Sequence, residues 1–148
     1  MATIDINEVL VEWKVDAIID ESQLSKEIIR IPSLHSKYLE YYIHFKQKLA
    51  SADSKKNKTA WQKRQYFRGE MDAENLKKNG WSQWNGLKPS ATELNQLLDF
   101  DSDMNDLTRL VAEYKTSVSG CEYILTQLKG REYALKSLIE YQRFLSGS

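Results

Sequence analysis

Eight basic residues fall between Lys46 and Arg68: Lys46, Lys48, Lys55, Lys56, Lys58, Lys63, Arg64 and Arg68. Asp53 is the one acid among them, and Trp61, Tyr66 and Phe67 sit inside the basic end. Cations at this density can track a run of phosphates, and flat rings between them can stack on unpaired bases of any sequence. This pairing of residue types points to single-stranded nucleic acid, with Lys55, Lys56, Lys58, Trp61, Lys63, Arg64, Tyr66 and Arg68 as the candidate contacts. The same charges also suit a solvated helix face. The whole chain has 21 basic and 21 acidic side chains, so the tract is a segregation of charge rather than part of a basic protein.

Other chemistry finds little support. His35 and His44 are the only histidines, and neither has a cysteine or histidine at metal-ligand spacing. No phosphate-cradling glycine loop and no nucleophile elbow occurs. Asp99, Asp101, Asp103 and Asp106 imitate the start of a calcium loop, but its sixth position is Met104 and its twelfth is Leu110. Glycine and glutamate are required there. These acids suit the start of a helix instead, where they face the positive end of the dipole. The single Cys121 lies on an apolar helical stripe and reads as a buried thiol. We therefore expect no catalytic residue, no metal and no cofactor.

The elements that must carry the basic tract read as helices. Asp5-x-x-Glu8 resembles a capping box, and Ile6, Val9, Leu10, Trp13 and Ala17 follow one face. Asp20 can cap a second helix, which Pro32 is expected to end while opening a third. Leu34, Tyr38, Tyr41, Phe45, Leu49 and Ala52 form the third helix's apolar seam. The seam fades after Ala52, so the basic half should project or line a shared surface. Gly69 is the expected stop.

Residues 70–90, with Gly80, Gly86, Pro89, Trp81 and Trp84, read as a linker between a 1–69 helical region and a 91–148 helical region. Two tryptophans in such a segment suit docking onto the body of the fold, with partner binding or base stacking as the other reading. Ser90-x-x-Glu93 is a second capping box. Leu107, Val111, Tyr114, Val118, Cys121, Leu125 and Leu128 then alternate four and three residues apart, a heptad seam. Gly130, Arg131 and Glu132 interrupt it before Leu135 and Leu138 resume, as a kinked helix or a hairpin. With short N-terminal helices, the seam is expected to seek other subunits. The fold class is all-α. No apolar run approaches the ~18 residues of a membrane span, and the N-terminal residues lack the basic start of a signal peptide. A cytoplasmic protein is the expectation.

Four blocks carry a family resemblance: Trp13-Lys14-Val15-Asp16-Ala17-Ile18-Ile19-Asp20, Ile31-Pro32-Ser33-Leu34-His35-Ser36-Lys37-Tyr38, Tyr66-Phe67-Arg68-Gly69 and Ile139-Glu140-Tyr141-Gln142-Arg143-Phe144. In this order and spacing the chain resembles the UvsY family of phage recombination mediators. The resemblance implies a non-enzymatic protein, acting in the host cytoplasm, that binds single-stranded DNA as a ring-shaped homo-oligomer. It also implies two protein partners, the phage recombinase UvsX and the phage single-stranded-DNA-binding protein. Family DNA-binding positions fall on the segment with Trp61 and Lys63, and Trp61 stands where a family member has lysine. The contrasting reading is a structural coiled-coil scaffold that assembles without touching nucleic acid. A membrane-surface arm fits less well, because the tract lacks an apolar face beside its charges.

Overall fold

The computed structural model describes residues 3–147, and those residues form five α-helices and one 3-10 turn, with no strand among them. The order is α1 (Ile6–Asp16), the 3-10 turn Glu21–Gln23, α2 (Leu24–Phe67), α3 (Ala73–Asn79), α4 (Ala91–Phe100) and α5 (Ser102–Leu145). Packing divides the chain into two compact units. One holds Met1–Gln47 with Tyr114–Ser148, and the other holds Lys48–Glu113. Helices α2 and α5 each contribute to both, so the units do not follow chain order.

Capping residues set the starts. The Asp5 carboxylate accepts from the Asn7 N–H at 3.0 Å, and Asp20 accepts from the Ser22 N–H at 3.0 Å. Ser90 and Glu93 form the reciprocal capping box expected of them, at 3.2 Å in both directions. Asp101 accepts from the Met104 N–H at 3.0 Å, so the acidic stretch does open a helix. Gly69 and Gly80 stop α2 and α3 at positive φ (72° and 70°), which glycine adopts without a Cβ penalty.

Two sequence expectations are corrected here. Pro32 does not end a helix; α2 runs through it for 44 residues. The proline removes one backbone donor and leaves the Ile28 carbonyl without its helical partner. Buried side chains on either side, Leu24, Glu27, Leu34 and Tyr38, hold the helix in line. Gly130-Arg131-Glu132 likewise breaks nothing, since α5 is continuous across it. Arg131 occupies the next inward position after Ile124 and Leu128 and before Leu135, and all four are buried.

The first unit is tied together by charge as well as apolar contact. Arg131 reaches Glu27 at 3.0 Å and donates to the Asp16 and Ile18 carbonyls at 2.8 and 3.3 Å. One guanidinium thus joins α5 to α2 and to the carbonyl end of α1. Beside it, the Asp16 carboxylate accepts from Lys37 at 2.8 Å and from the Tyr38 hydroxyl at 2.7 Å. Burial alone would raise the Asp16 pKa, but the Lys37 and Tyr38 hydrogen bonds and the Lys37 and Arg30 charges outweigh it and hold it low. Trp13 meets the fully buried Tyr38 edge to face at 5.5 Å. On α5, Gly120 lies so close to α1 that an added Cβ would stand 3.3 Å from Ile6. Burial pushes the Cys121 thiol up to about 11, which suits a packing residue and not a nucleophile.

The second unit has its own core of Phe67, Leu94, Leu98 and Met104, with Ala60, Tyr66, Trp84 and Leu97 against it. The segment read as a linker contains α3, and its tryptophans dock. Phe67 meets Trp84 at 4.9 Å, and Tyr66 meets Trp81 at 5.4 Å and donates to the Ser82 carbonyl. Gly86 permits this, because a Cβ there would fall 2.5 Å from the Trp84 ring. No helix among the described residues is long and apolar enough to cross a membrane.

Two measurements check the first unit. Arg131→Met leaves Glu27 buried without its α5 partner, and urea unfolding should show a loss of about 3–5 kcal/mol. Adding Glu27→Leu should recover most of it, because apolar replacement of a whole buried pair is close to neutral. Asp16 has a depressed pKa, so its contribution is present above the ordinary carboxylate pKa and is lost as pH falls through the folded value. Wild type should therefore exceed Asp16→Asn in stability at pH 7, and the gap should close in acid.

Candidate nucleic-acid interface

The basic half of α2 belongs to the second unit, and its side chains divide by helical face. Ala52, Lys63 and Phe67 point inward and are buried. Lys55, Lys58, Trp61, Arg64 and Arg68 are exposed, and Lys56 is half-buried. None of these five outward cations makes an ion pair or side-chain hydrogen bond among the described residues. Of the two expectations for this half, projection or lining a shared surface, projection is corrected. One face of it packs on α4 and the start of α5, which fixes its rotation and directs the remaining cations to solvent.

Lys63 departs from its expected role. Only 6% of it is accessible, and its ammonium sits 3.1 Å from Asp101 and 2.9 Å from Asp103. The ammonium also lies 4.2 Å from the centre of the Trp81 ring. Burial alone would lower the lysine pKa, but the hydrogen bonds and charges of Asp103 and Asp101 outweigh it and hold the pKa up. This cation is spent inside the protein. The physical reason is rotational: on a 3.6-residue helix, Lys63 shares its face with Phe67 and Ala52. Tyr66 is corrected in the same way, since its ring lies among Phe67, Trp81 and Trp84. Of the three aromatics in the basic tract, Trp61 alone stays open, at 60% exposure.

The second group of expected residues also needs correcting. Leu107, Val111, Val118, Cys121, Leu128 and Leu135 are all buried within a single chain, and Tyr114 and Leu125 are half-buried. Leu138, at 38% exposure, lies at the edge. The seam is covered within the chain, where the short helix expected before Pro32 and the long one after it are a single 44-residue α2. Residue Ile124, which the heptad spacing passes over in favour of Leu125, is the fully buried one. What stays uncovered lies elsewhere in the first unit. Val11, Val15 and Ile18 form a stripe on and just beyond α1, exposed by 61–67%. Near the end of α5, Tyr141, Phe144 and Leu145 are also exposed.

Arg131 and Lys63 are thus buried structural cations, and the outward set is Lys55, Lys56, Lys58, Arg64 and Arg68 around Trp61. Cations so placed suit phosphate contacts, which carry no sequence information. Nothing in it resembles a catalytic constellation.

Known proteins share this architecture. The chain is similar to the bacteriophage T4 recombination mediator protein UvsY in three crystal lattices. Lattice type IV gives a TM-score of 0.83 at 20% identity, covering 95% of this chain and 99% of that one. Lattice type II gives 0.82 at 21%, covering 97% and 99%. Lattice type I gives 0.79 at 22%, covering 93% and 98%. This likeness shows a common fold. A comparison with curated proteins finds no match. A family model described as "Recombination, repair and ssDNA binding protein UvsY" matches residues 12–148, nearly the whole chain. The protein belongs to the UvsY family of recombination, repair and single-stranded-DNA-binding proteins.

Proposed function

We propose that this protein is a recombination mediator that binds single-stranded DNA as a homo-oligomer. In that role it helps load the phage recombinase UvsX while the phage single-stranded-DNA-binding protein is displaced. The observation that carries the reading is the outward row Lys55, Lys58, Arg64 and Arg68, held in one orientation by the buried Lys63. A few phosphate contacts per subunit give weak, salt-sensitive binding. Repetition of the row in an oligomer makes each later contact intramolecular, so weak sites combine into high avidity. Contacts to phosphate alone suit a mediator that must act on any strand.

The surface for self-association is the uncovered part of the first unit rather than the heptad seam. Val11, Val15 and Ile18 repeat at four and three residues, the spacing of one helix face. A valine stripe open to water favours burial against a second copy. A purely structural scaffold would share the oligomer but not the affinity for DNA.

Two experiments separate these readings. In fluorescence anisotropy with labelled single strands, Lys55→Ala, Lys58→Ala and Arg64→Ala together should weaken binding. Each lost phosphate contact lowers the salt slope by about 0.7, so the triple change should lower it by about 2 per engaged subunit. Unchanged affinity and slope would remove the site from α2. In light scattering, Val15→Asp should reduce the assembly while the subunit stays helical. Val118→Asp should instead unfold the subunit, because that side chain is already buried within the chain. Dissociation by Val118→Asp with an intact fold would return the interface to the seam.

A further inference from the structure

We infer that the second unit contains a nucleobase subsite, a groove of about 840 Å³ that receives one unstacked base of a bound single strand. The inference rests on the DNA-binding reading above and goes further, because phosphate tracking needs no pocket. Trp61 lines the groove together with Arg64 and Lys56, all from α2. The apolar lining is Ala60, Leu98 and Met104, drawn from α2, α4 and α5. Leu98 and Met104 are buried members of the unit's core, so this part of the wall is rigid. A volume in the range of small-molecule sites admits a nucleotide.

The polar lining suits a base and not a second phosphate. Asn57, Asn95 and Asn105 come from three different helices and converge on the groove. Their side-chain amides make no hydrogen bond among the described residues. Each amide offers a donor and an acceptor, which matches the mixed edges of all four bases. Asp99 lines the groove as well. Its carboxylate repels a phosphate and accepts from an exocyclic amine such as cytosine N4. The charges therefore sort the ligand: phosphate toward Lys56 and Arg64 on α2, base edge toward α4. Trp61 supplies the stacking face, and its 60% exposure leaves the ring free to take one. Tyr66, Trp81 and Trp84 are engaged with one another and with Phe67 in the core.

The test compares a labelled single strand with an abasic deoxyribose-phosphate strand of the same length, by anisotropy on the full-length protein. Wild type should bind the base-bearing strand more tightly. Trp61→Ala should weaken that strand by about 10-fold or more while leaving the abasic strand within twofold and the salt slope unchanged. Trp61→Phe should restore most of the loss, since a ring is what stacks. A strand carrying 5-iododeoxyuridine should photocrosslink to Trp61. Equal wild-type affinity for the two strands overturns the subsite and leaves the phosphate-binding reading standing. Binding to neither strand overturns that reading itself. A Trp61→Ala loss shared equally by both strands, or a crosslink at Trp81 instead, assigns the base elsewhere and overturns the subsite.

Discussion

The burial of Lys63 between Asp101 and Asp103 orients the proposed DNA-binding surface. A lysine inside a protein is tolerated only when its charge is answered, and here two carboxylates and the face of Trp81 answer it. With that residue turned inward, helical geometry leaves no choice for its neighbours. Phe67, one turn on, enters the core, while Trp61 and Arg64 turn outward. The same acids begin α5, with Asp101 capping it. A single ionic contact therefore fixes the rotation of α2, the start of α5 and the place of Trp81.

Arg131 does comparable work in the first unit. It sits where an apolar stripe would place a leucine, and it answers Glu27 and the last carbonyls around α1. Helix ends leave unpaired carbonyls that need donors when covered. A guanidinium can satisfy several at once because its donors fan out in one plane. Asp16, Lys37 and Tyr38 extend this polar network along the α1–α2 contact. The first unit thus joins its three helices through hydrogen-bonded charge alongside Val9, Tyr38 and Phe45.

The distribution of apolar surface follows from α2 being unbroken. A break at Pro32 would leave short N-terminal helices, and the α5 seam is then expected to seek other subunits. A 44-residue α2 changes the accounting, and the seam closes within the chain. The valines of α1 and the aromatic end of α5 are among the large apolar side chains that remain uncovered. In the proposed oligomer, self-association and folding draw on different side chains.

The sequence alone determined the helical class, the caps at Asp5, Asp20 and Ser90, the glycine stop at Gly69, and the α2 seam from Leu34 to Ala52. These are local matters, set by period, turn chemistry and capping within a few residues. Docking of Trp81 and Trp84 was legible for a similar reason, since large rings seldom stay in water. Tertiary structure decided the rest. Pro32 reads as a break, yet packing on both sides outweighs one lost hydrogen bond. Arg131 reads as an interruption and Lys63 as a phosphate contact, because a charged side chain looks solvated until its partner is known. Those partners, Glu27 and the Asp101–Asp103 pair, lie 104 and about 40 residues away along the chain. No local pattern records such a pairing; only the folded chain brings these charges to 2.9–3.1 Å and shows which cations of the tract stay exposed.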